Sequence, residues 1–276
     1  MMHHLLRLDD WTPSNLHELF YVAREFEQGC GPRVKGCAVL FFPPSSLRTR
    51  VSFERGALLM GLQPITLPPE TLDKPEALVD VAGYLGQWAD IVVARHPSIA
   101  LLEEIAAANV LPVVNAMTDV NHPCEVLSDL YTLSVTSDPL ELRYLFVGAD
   151  GNISRAWQEA ARAFGLDLVQ CCPPELSSPG AAWNGDLRDA SSRADVIITD
   201  GPGKHAEALA PYQVTAEVLH WAPDGVRLAP CPPFVRGREV SADAIASASF
   251  VGHGFKSALL PVQQAIMSML LDSARK

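Results

Sequence analysis

Short apolar runs alternate with longer amphipathic stretches along nearly the whole chain, and the series runs twice. Residues 37–42, 90–94 and 110–115 are too short for helices and are predicted to be buried strands. Residues 48–62, 75–88, 98–108 and 123–134 are predicted to be the helices that follow them. After a break at Ser137-Asp138-Pro139 a second series begins, with strands at 143–147, 167–171, 194–199 and 228–230 and helices at 152–165 and 257–271. Strands alternating with helices imply parallel sheets covered on both faces, because a parallel connection needs a crossover long enough to hold a helix. The predicted fold class is α/β, with two doubly wound parallel-sheet domains, which 276 residues suffice to build.

Apolar residues make up 48% of the chain and charged residues 19%, so each half has enough to bury a core. The net charge of −11 argues against nucleic acid as a partner. No apolar stretch has the length of a secretory signal or a membrane span, so a cytoplasmic protein with no membrane partner is expected. Cys30, Cys37, Cys124, Cys171, Cys172 and Cys231 form no metal-type pair and are read as reduced thiols. No metal or other cofactor is expected.

In open parallel sheets, ligands bind at the carboxyl ends of strands. That rule directs attention to the loops after Phe42, Ala94, Asn115, Val147 and Thr199. In the first loop, Ser46-Leu47-Arg48-Thr49-Arg50 sits where a strand gives way to a helix. Unpaired backbone N–H groups at a helix start, two hydroxyls and a guanidinium fork suit a phosphate dianion. The same residues also suit an ordinary helix start, with Ser46 as N-cap, solvated arginines and Arg50 paired with Glu54. Arg95-His96-Pro97 and then Asn115, Thr118 and His122-Pro123-Cys124-Glu125 follow the next two strands. Three polar clusters at successive strand ends of one sheet favour the anion site.

Ser46-Leu47-Arg48-Thr49-Arg50 resembles the Ser-Thr-Arg-Thr-Arg signature of the aspartate and ornithine carbamoyltransferases. The spacing to Lys74-Pro75-Glu76, Arg95-His96-Pro97 and His122-Pro123-Cys124-Glu125 is similar too, and the resemblance runs from about Leu5 to Leu271. It implies a carbamoyl-phosphate-binding domain at residues 1–136 and an amine-acceptor-binding domain at 137–252. Helices bridge the two, among them a C-terminal helix at 253–276 packing back on the first. It also implies a homotrimer with active sites between subunits. Ser46, the Leu47 backbone, Arg48 and Thr49 would hold the phosphate; Arg95 and His122 would hold the carbamoyl oxygen; Lys74 would reach in from a neighbouring subunit. The second half resembles the ornithine branch more. Asn152 would meet the amino-acid backbone, Asp200 would steer the attacking amine, and Cys231, in Pro230-Cys231-Pro232-Pro233, would pair with Asp200. Pro232 would lie against the acceptor.

Several positions depart from that pattern. Glu125 stands where the family has a glutamine that contacts the carbamoyl amide, and a carboxylate accepts hydrogen bonds but cannot donate them. Leu47 lacks the threonine hydroxyl. Gly201-Pro202-Gly203-Lys204-His205 replaces the Trp-x-Ser-Met-Gly loop of the ornithine enzymes, Pro230 replaces a histidine, and Lys256 is the cation nearest to an expected C-terminal arginine. A largely intact donor half and a rewritten acceptor half imply an amine acceptor other than ornithine. Lys204, His205, Arg236 and Arg238 are candidates for meeting its carboxylate, and as loop charges they equally suit plain solvation.

The reaction implied is attack of a neutral amine on carbamoyl phosphate, with the oxyanion held by Arg95 and His122 and phosphate leaving toward Arg48. A non-catalytic relative that senses a phosphorylated ligand is the alternative. A dinucleotide-dependent oxidoreductase is disfavoured, because Gly148-x-x-Gly151 lacks the full glycine fingerprint.

Overall fold

The computed structural model describes residues 4–274, in two compact units. One runs up to Tyr131 and resumes at Ser257; the other is Thr132–Lys256. In chain order the strands are β1 (Gly36–Phe41), β2 (Leu62–Leu67), β3 (Ile91–Arg95), β4 (Val113–Met117), β5 (Arg143–Val147), β6 (Asp167–Cys171), β7 (Val196–Thr199) and β8 (Arg227–Pro230). The helices are α1 (Pro13–Glu27), α2 (Arg48–Met60), α3 (Leu78–Leu85), α4 (Ile99–Ala107), α5 (Pro123–Ser134), α6 (Asn152–Phe164), α7 (Leu187–Ser191), α8 (Ala206–Leu209), α9 (Ala216–Trp221), α10 (Ala242–Ala246) and α11 (Leu259–Ala274).

Each unit contains one four-stranded parallel sheet, ordered β2-β1-β3-β4 in the first and β6-β5-β7-β8 in the second. This is the doubly wound α/β class expected from the alternation. Strand order reverses between β1 and β3, and again between β5 and β7, and loops diverge there to leave a crevice. In the first sheet Phe41 pairs with Ala94, so the loop after β1 lies beside the one after β3. In the second, Val147 pairs with Thr199 and Thr199 with Pro230, which brings three loops to one edge.

The strands are buried because both sheet faces are covered; Val92, Val93 and Val113 in the first unit, and Ile197 and Leu228 in the second, have no exposed surface. Helix α1 starts on a capping box, with Thr12 Oγ1 accepting the Asn15 N–H at 3.3 Å and Asn15 Oδ1 accepting the Thr12 N–H at 3.0 Å. Helix α2 ends at Gly61, whose φ of +100° a side chain would resist, and a Cβ there would sit 2.4 Å from the Val34 carbonyl oxygen. The expected helix 48–62 therefore stops at Met60, and Leu62 opens a strand.

Helices α2 and α11 cross at Gly56. Gln264 Nε2 donates to the Gly56 carbonyl at 3.2 Å, and a Cβ on Gly56 would meet Gln264 Cγ at 3.1 Å. A leucine there has nowhere to go. Gly56→Leu is expected to cost about 1–3 kcal/mol of stability through overpacking, read as a lower denaturation midpoint, whereas Gly56→Ala should cost less.

Candidate functional site

In the first unit the chain leaves β1 through buried Phe42 and turns, with the Ser46 N–H donating to the Pro43 carbonyl at 2.9 Å. Leu47, not Ser46, occupies the N-cap position of α2. No side chain caps the helix, and no acidic residue lies in its first turn. The first-turn N–H groups thus keep the partial positive charge that favours an anion. Ser46 is buried and its hydroxyl accepts from Arg95 Nη1 at 3.4 Å, so it ties two strand ends together instead of capping. Thr49 is buried and Arg48 exposed. Arg50 turns away: its Nε donates to Glu54 Oε1 at 2.8 Å, and the same oxygen accepts from Thr66 Oγ1 at 2.7 Å. Burial alone would push the Glu54 carboxyl up, but the Thr66 hydroxyl and Arg50 outweigh it and hold the group below its ordinary range. Arg50 is therefore the helix pair that its spacing suggested.

The pairing of β3 with β4 shifts register between Ala94 and Arg95, an irregularity of the kind that re-aims a side chain. The Arg95 guanidinium lies below its ordinary pKa, chiefly because it is buried and then because Arg48 repels it, while Glu125 acts in the opposite sense. Arg95 thus feels the charge of both Arg48 and Glu125. His122 and Glu125 are both buried, with Nε2 and Oε2 3.9 Å apart. Asn115 and Thr118 do not present a binding face. Asn115 Nδ2 donates to Asn121 Oδ1 at 2.6 Å, and Thr118 Oγ1 accepts the Asn121 N–H at 3.2 Å, which fixes the turn that delivers His122 to the start of α5. Ser46, Arg48, Thr49, Arg95, His122 and Glu125 all belong to this unit, at the carboxyl edge of its sheet.

Lys74 is exposed, just after a short 3-10 turn (Pro69–Asp73). His96 anchors that turn. Its Nδ1 accepts the Ser98 N–H at 3.0 Å, so its Nε2 carries the proton and donates to Asp73 Oδ1, also at 3.0 Å. Nothing in the sequence near residue 73 signals this link, because the partners are far apart in the chain.

In the second unit the Gly148-Ala149-Asp150-Gly151 loop is braced on all sides. Gln170 Nε2 donates to the Gly148 carbonyl at 2.9 Å, Ser178 Oγ donates to Asp150 Oδ1 at 2.9 Å, and Arg155 Nε donates to the same carboxylate oxygen at 2.9 Å. Burial pushes the Asp150 carboxyl up, yet Arg155 and Ser178 outweigh it and the pKa falls below the ordinary range. This bracing sets Asn152 as the first residue of α6. Asp200 follows buried Thr199, and its Oδ1 accepts the Gly201 N–H at 2.8 Å. Cys231 is buried, and its N–H donates to the Thr199 carbonyl at 2.8 Å, which sets it beside the end of β7. Pro232 is half-buried. Asp200 and Pro202 line a cleft with Arg238 and Glu239; Lys204 and His205 lie outside its lining, on the 3-10 turn Gly203–His205. Arg236 stacks its guanidinium 5.5 Å from the Phe234 ring centre, and the Lys256 ammonium sits 5.5 Å from that of Phe255. Among the described residues no group of three acidic, histidine or cysteine side chains is placed to hold a metal ion, and no helix is long and apolar enough to cross a membrane.

Residues 3–135 match the family model for the carbamoyl-P binding domain of aspartate/ornithine carbamoyltransferase. The ornithine carbamoyltransferase of Chromohalobacter salexigens is 35% identical over 266 residues, covering 86% of this chain and 87% of that protein. That of Methanothermobacter thermautotrophicus is 31% identical over 301 residues, covering 98% and 99%. Among solved structures, ornithine carbamoyltransferase from Pyrococcus furiosus superposes with a TM-score of 0.90 at 25% identity, covering 98% of this chain and 97% of its own. The enzyme from Gloeobacter violaceus gives 0.86 at 26%, covering 97% and 98%. With the donor-type loops of the first sheet and this likeness over nearly its full length, the chain belongs to the aspartate/ornithine carbamoyltransferase family and is a carbamoyltransferase.

Proposed function

We propose that this carbamoyltransferase moves the carbamoyl group of carbamoyl phosphate onto the amine of a small amino acid other than ornithine, releasing phosphate. The observation that carries the donor half is the uncapped start of α2 beside Ser46, Thr49 and the mutually repelling Arg48 and Arg95. A buried guanidinium that a second one repels is stabilised by a dianion set between them. In this reading the phosphate sits on the Leu47 backbone and first-turn N–H groups with Ser46, Arg48 and Thr49. Arg95 and His122 polarise the carbonyl and hold its oxygen as negative charge develops. A neutral amine, oriented by Asp200 with Cys231 beside it, attacks the carbonyl carbon; the C–O bond to phosphate breaks, the proton that the new C–N bond displaces from the amine ends on the phosphate, and the phosphate departs toward Arg48. Asn152 and Pro232 contact the acceptor. The rewritten segment at Lys204 and His205, in place of Ser-Met-Gly, supports an acceptor other than ornithine.

The test is incubation with carbamoyl phosphate and a panel of amines: ornithine, shorter and longer diamino acids, aspartate and polyamines. Phosphate release and product mass are both measured. The expected result is one carbamoylated product, formed in step with phosphate and fastest on an amine other than ornithine. Donor binding without turnover on any amine would favour the non-catalytic alternative.

Glu125 has a role of its own in this reading. Its carboxylate offsets the positive charge on Arg95 and competes with the incoming dianion. Glu125→Gln restores an amide donor and removes that charge. It is expected to tighten carbamoyl phosphate by about tenfold, the equivalent of 1.4 kcal/mol, as read by calorimetric titration.

A homotrimer is part of the same proposal. Val51, Leu58 and Leu59 on α2, and Val79, Tyr84 and Trp88 on or just after α3, are large apolar side chains left exposed in the single chain. Apolar exposure of that extent supports burial against further copies, with Lys74 serving a neighbour's site. Light scattering should give the mass of three chains. A cytoplasmic location fits the six unbridged cysteines.

A further inference from the structure

The segment between β2 and α3 is held firmly although much of it covers nothing. Residues 73–77 are all exposed. Yet Pro68, Pro69 and Pro75 each fix their own φ and restrict the residue before them. Leu72 anchors the segment from below, buried in the apolar core with Phe41, Ala94 and Leu102. The next residue, Asp73, is anchored too: its Oδ1 accepts from His96 Nε2 at 3.0 Å, although the Asp73 side chain is 56% exposed.

His96 is the rigid side of that link. It is buried, and its backbone N–H donates to the Met117 carbonyl at 3.1 Å, at the end of β4. Its Nδ1 accepts the Ser98 N–H at 3.0 Å, and the Ser98 hydroxyl in turn accepts the Leu101 N–H at 3.2 Å at the start of α4. The ring is thus set from two elements before Asp73 meets it, so the bond places the loop and not the ring. Such a bond adds little stability, because water would serve an exposed carboxylate nearly as well. Its effect is positional. Lys74 follows Asp73 directly, exposed and with extended backbone (φ −66°, ψ 149°), and the next helix leaves Val79 and Tyr84 exposed. A lysine facing only solvent needs no such mounting, whereas one that must meet an anion on another molecule gains from being held in place beforehand.

We propose that His96 is a positioning residue that acts on a second copy of this chain: through Asp73 it holds Lys74 in place for that copy's donor site. The inference rests on the carbamoyl-transfer and homotrimer readings and adds a division of labour at one strand end. Arg95 serves the site of its own chain, and His96, the next residue, serves the site of a neighbour. Substitutions at 96 separate this role from a purely structural one. Asparagine keeps an acceptor for the Ser98 N–H but is too short to donate to Asp73. Glutamine keeps an N–H at the place of Nε2 and loses the acceptor for Ser98.

The experiment is steady-state kinetics in carbamoyl phosphate on the full chain, first with each variant alone. His96→Asn is expected to raise KM about tenfold with kcat within about twofold of wild type, His96→Gln to stay within about threefold in KM, and Lys74→Met to raise KM at least as much as His96→Asn. Hybrid trimers of one tagged His96→Asn chain and two Arg48→Ala chains are then isolated. Their single site with an intact donor loop lies on the His96→Asn chain and takes its lysine from an Arg48→Ala neighbour, whose His96 is normal. That site should show the KM of the wild type. A KM still raised in the hybrid would mean that His96 acts within its own chain and would overturn the proposal. So would a larger defect in His96→Gln than in His96→Asn, which would assign the role to the start of α4. A raised KM in Lys74→Met with none in His96→Asn overturns this inference alone and leaves the transfer and trimer readings in place. Wild-type transfer by a protein with the mass of one chain removes the trimer reading and this inference with it, while the transfer reading stands.

Discussion

Arg95→Met should lower kcat/KM for carbamoyl phosphate by about 10²–10³-fold, the loss typical when one donor to a developing oxyanion is removed. Arg95 is half-buried at the end of β3, bound to Ser46 and influenced by both Arg48 and Glu125. Its position is fixed before any ligand arrives, and preorganisation is what makes such a donor effective. Methionine keeps most of the volume and none of the charge. Burial disfavours the arginine's charged form, so the fold should tolerate the substitution with little change in denaturation midpoint. The loss should fall mainly on kcat, because the phosphate retains Arg48, Ser46 and the helix start. A variant with normal kcat would remove Arg95 from the reaction.

Asp200→Asn should reduce turnover by about 10²-fold while leaving donor affinity within twofold of wild type. The carboxylate follows buried Thr199 at the end of β7, and the Gly201 N–H fixes its Oδ1 at 2.8 Å. Asparagine preserves that contact and the side chain's shape, so geometry survives and charge does not. An amine approaching a carboxylate is oriented by it and can pass it positive charge as the C–N bond forms; an amide offers only the orientation. The measurement is steady-state kinetics at saturating donor, paired with calorimetry for the donor alone. A loss of donor affinity equal to the loss of rate would instead mean that the substitution had damaged more than acceptor chemistry.

Much of the fold can be read from the residues. The apolar runs Arg143–Val147 and Asp167–Cys171 are strands, and Pro123–Ser134 is a helix, with the bounds that their sequences suggest. Strand β2 escapes such reading. Leu62-Gln63-Pro64-Ile65-Thr66-Leu67 contains a proline, and it is tolerated because β2 is the edge of its sheet. Helix α3 is shorter than residues 75–88 suggest, since 75–77 and 86–88 remain outside it. Strand β4 begins at Val113 instead of residue 110. Helix α1, unforeseen by the strand-and-helix alternation, carries its own signal in Thr12, Pro13 and Asn15.

The candidate site divides in the same way. Ser46, Arg48, Thr49, Arg95, His122 and Glu125 are legible because strand ends and helix starts leave a local pattern. Links made by distant residues leave none: Asp73 with His96, and Asp150 with Ser178, emerge only once the chain is folded.

Carbamoyl transfer by this chain requires carbamoyl phosphate to be held at the start of α2, and the most direct test is its affinity for the wild type and for Arg48→Ala. Arg48 is exposed and belongs to no buried network, so its loss should leave stability unchanged. Calorimetric titration should show binding in the wild type and a loss of at least about 100-fold in the variant, as expected for a charge-assisted contact to a phosphate. Equal affinity in the two proteins, or no binding in either, would contradict the assignment of this loop to the donor.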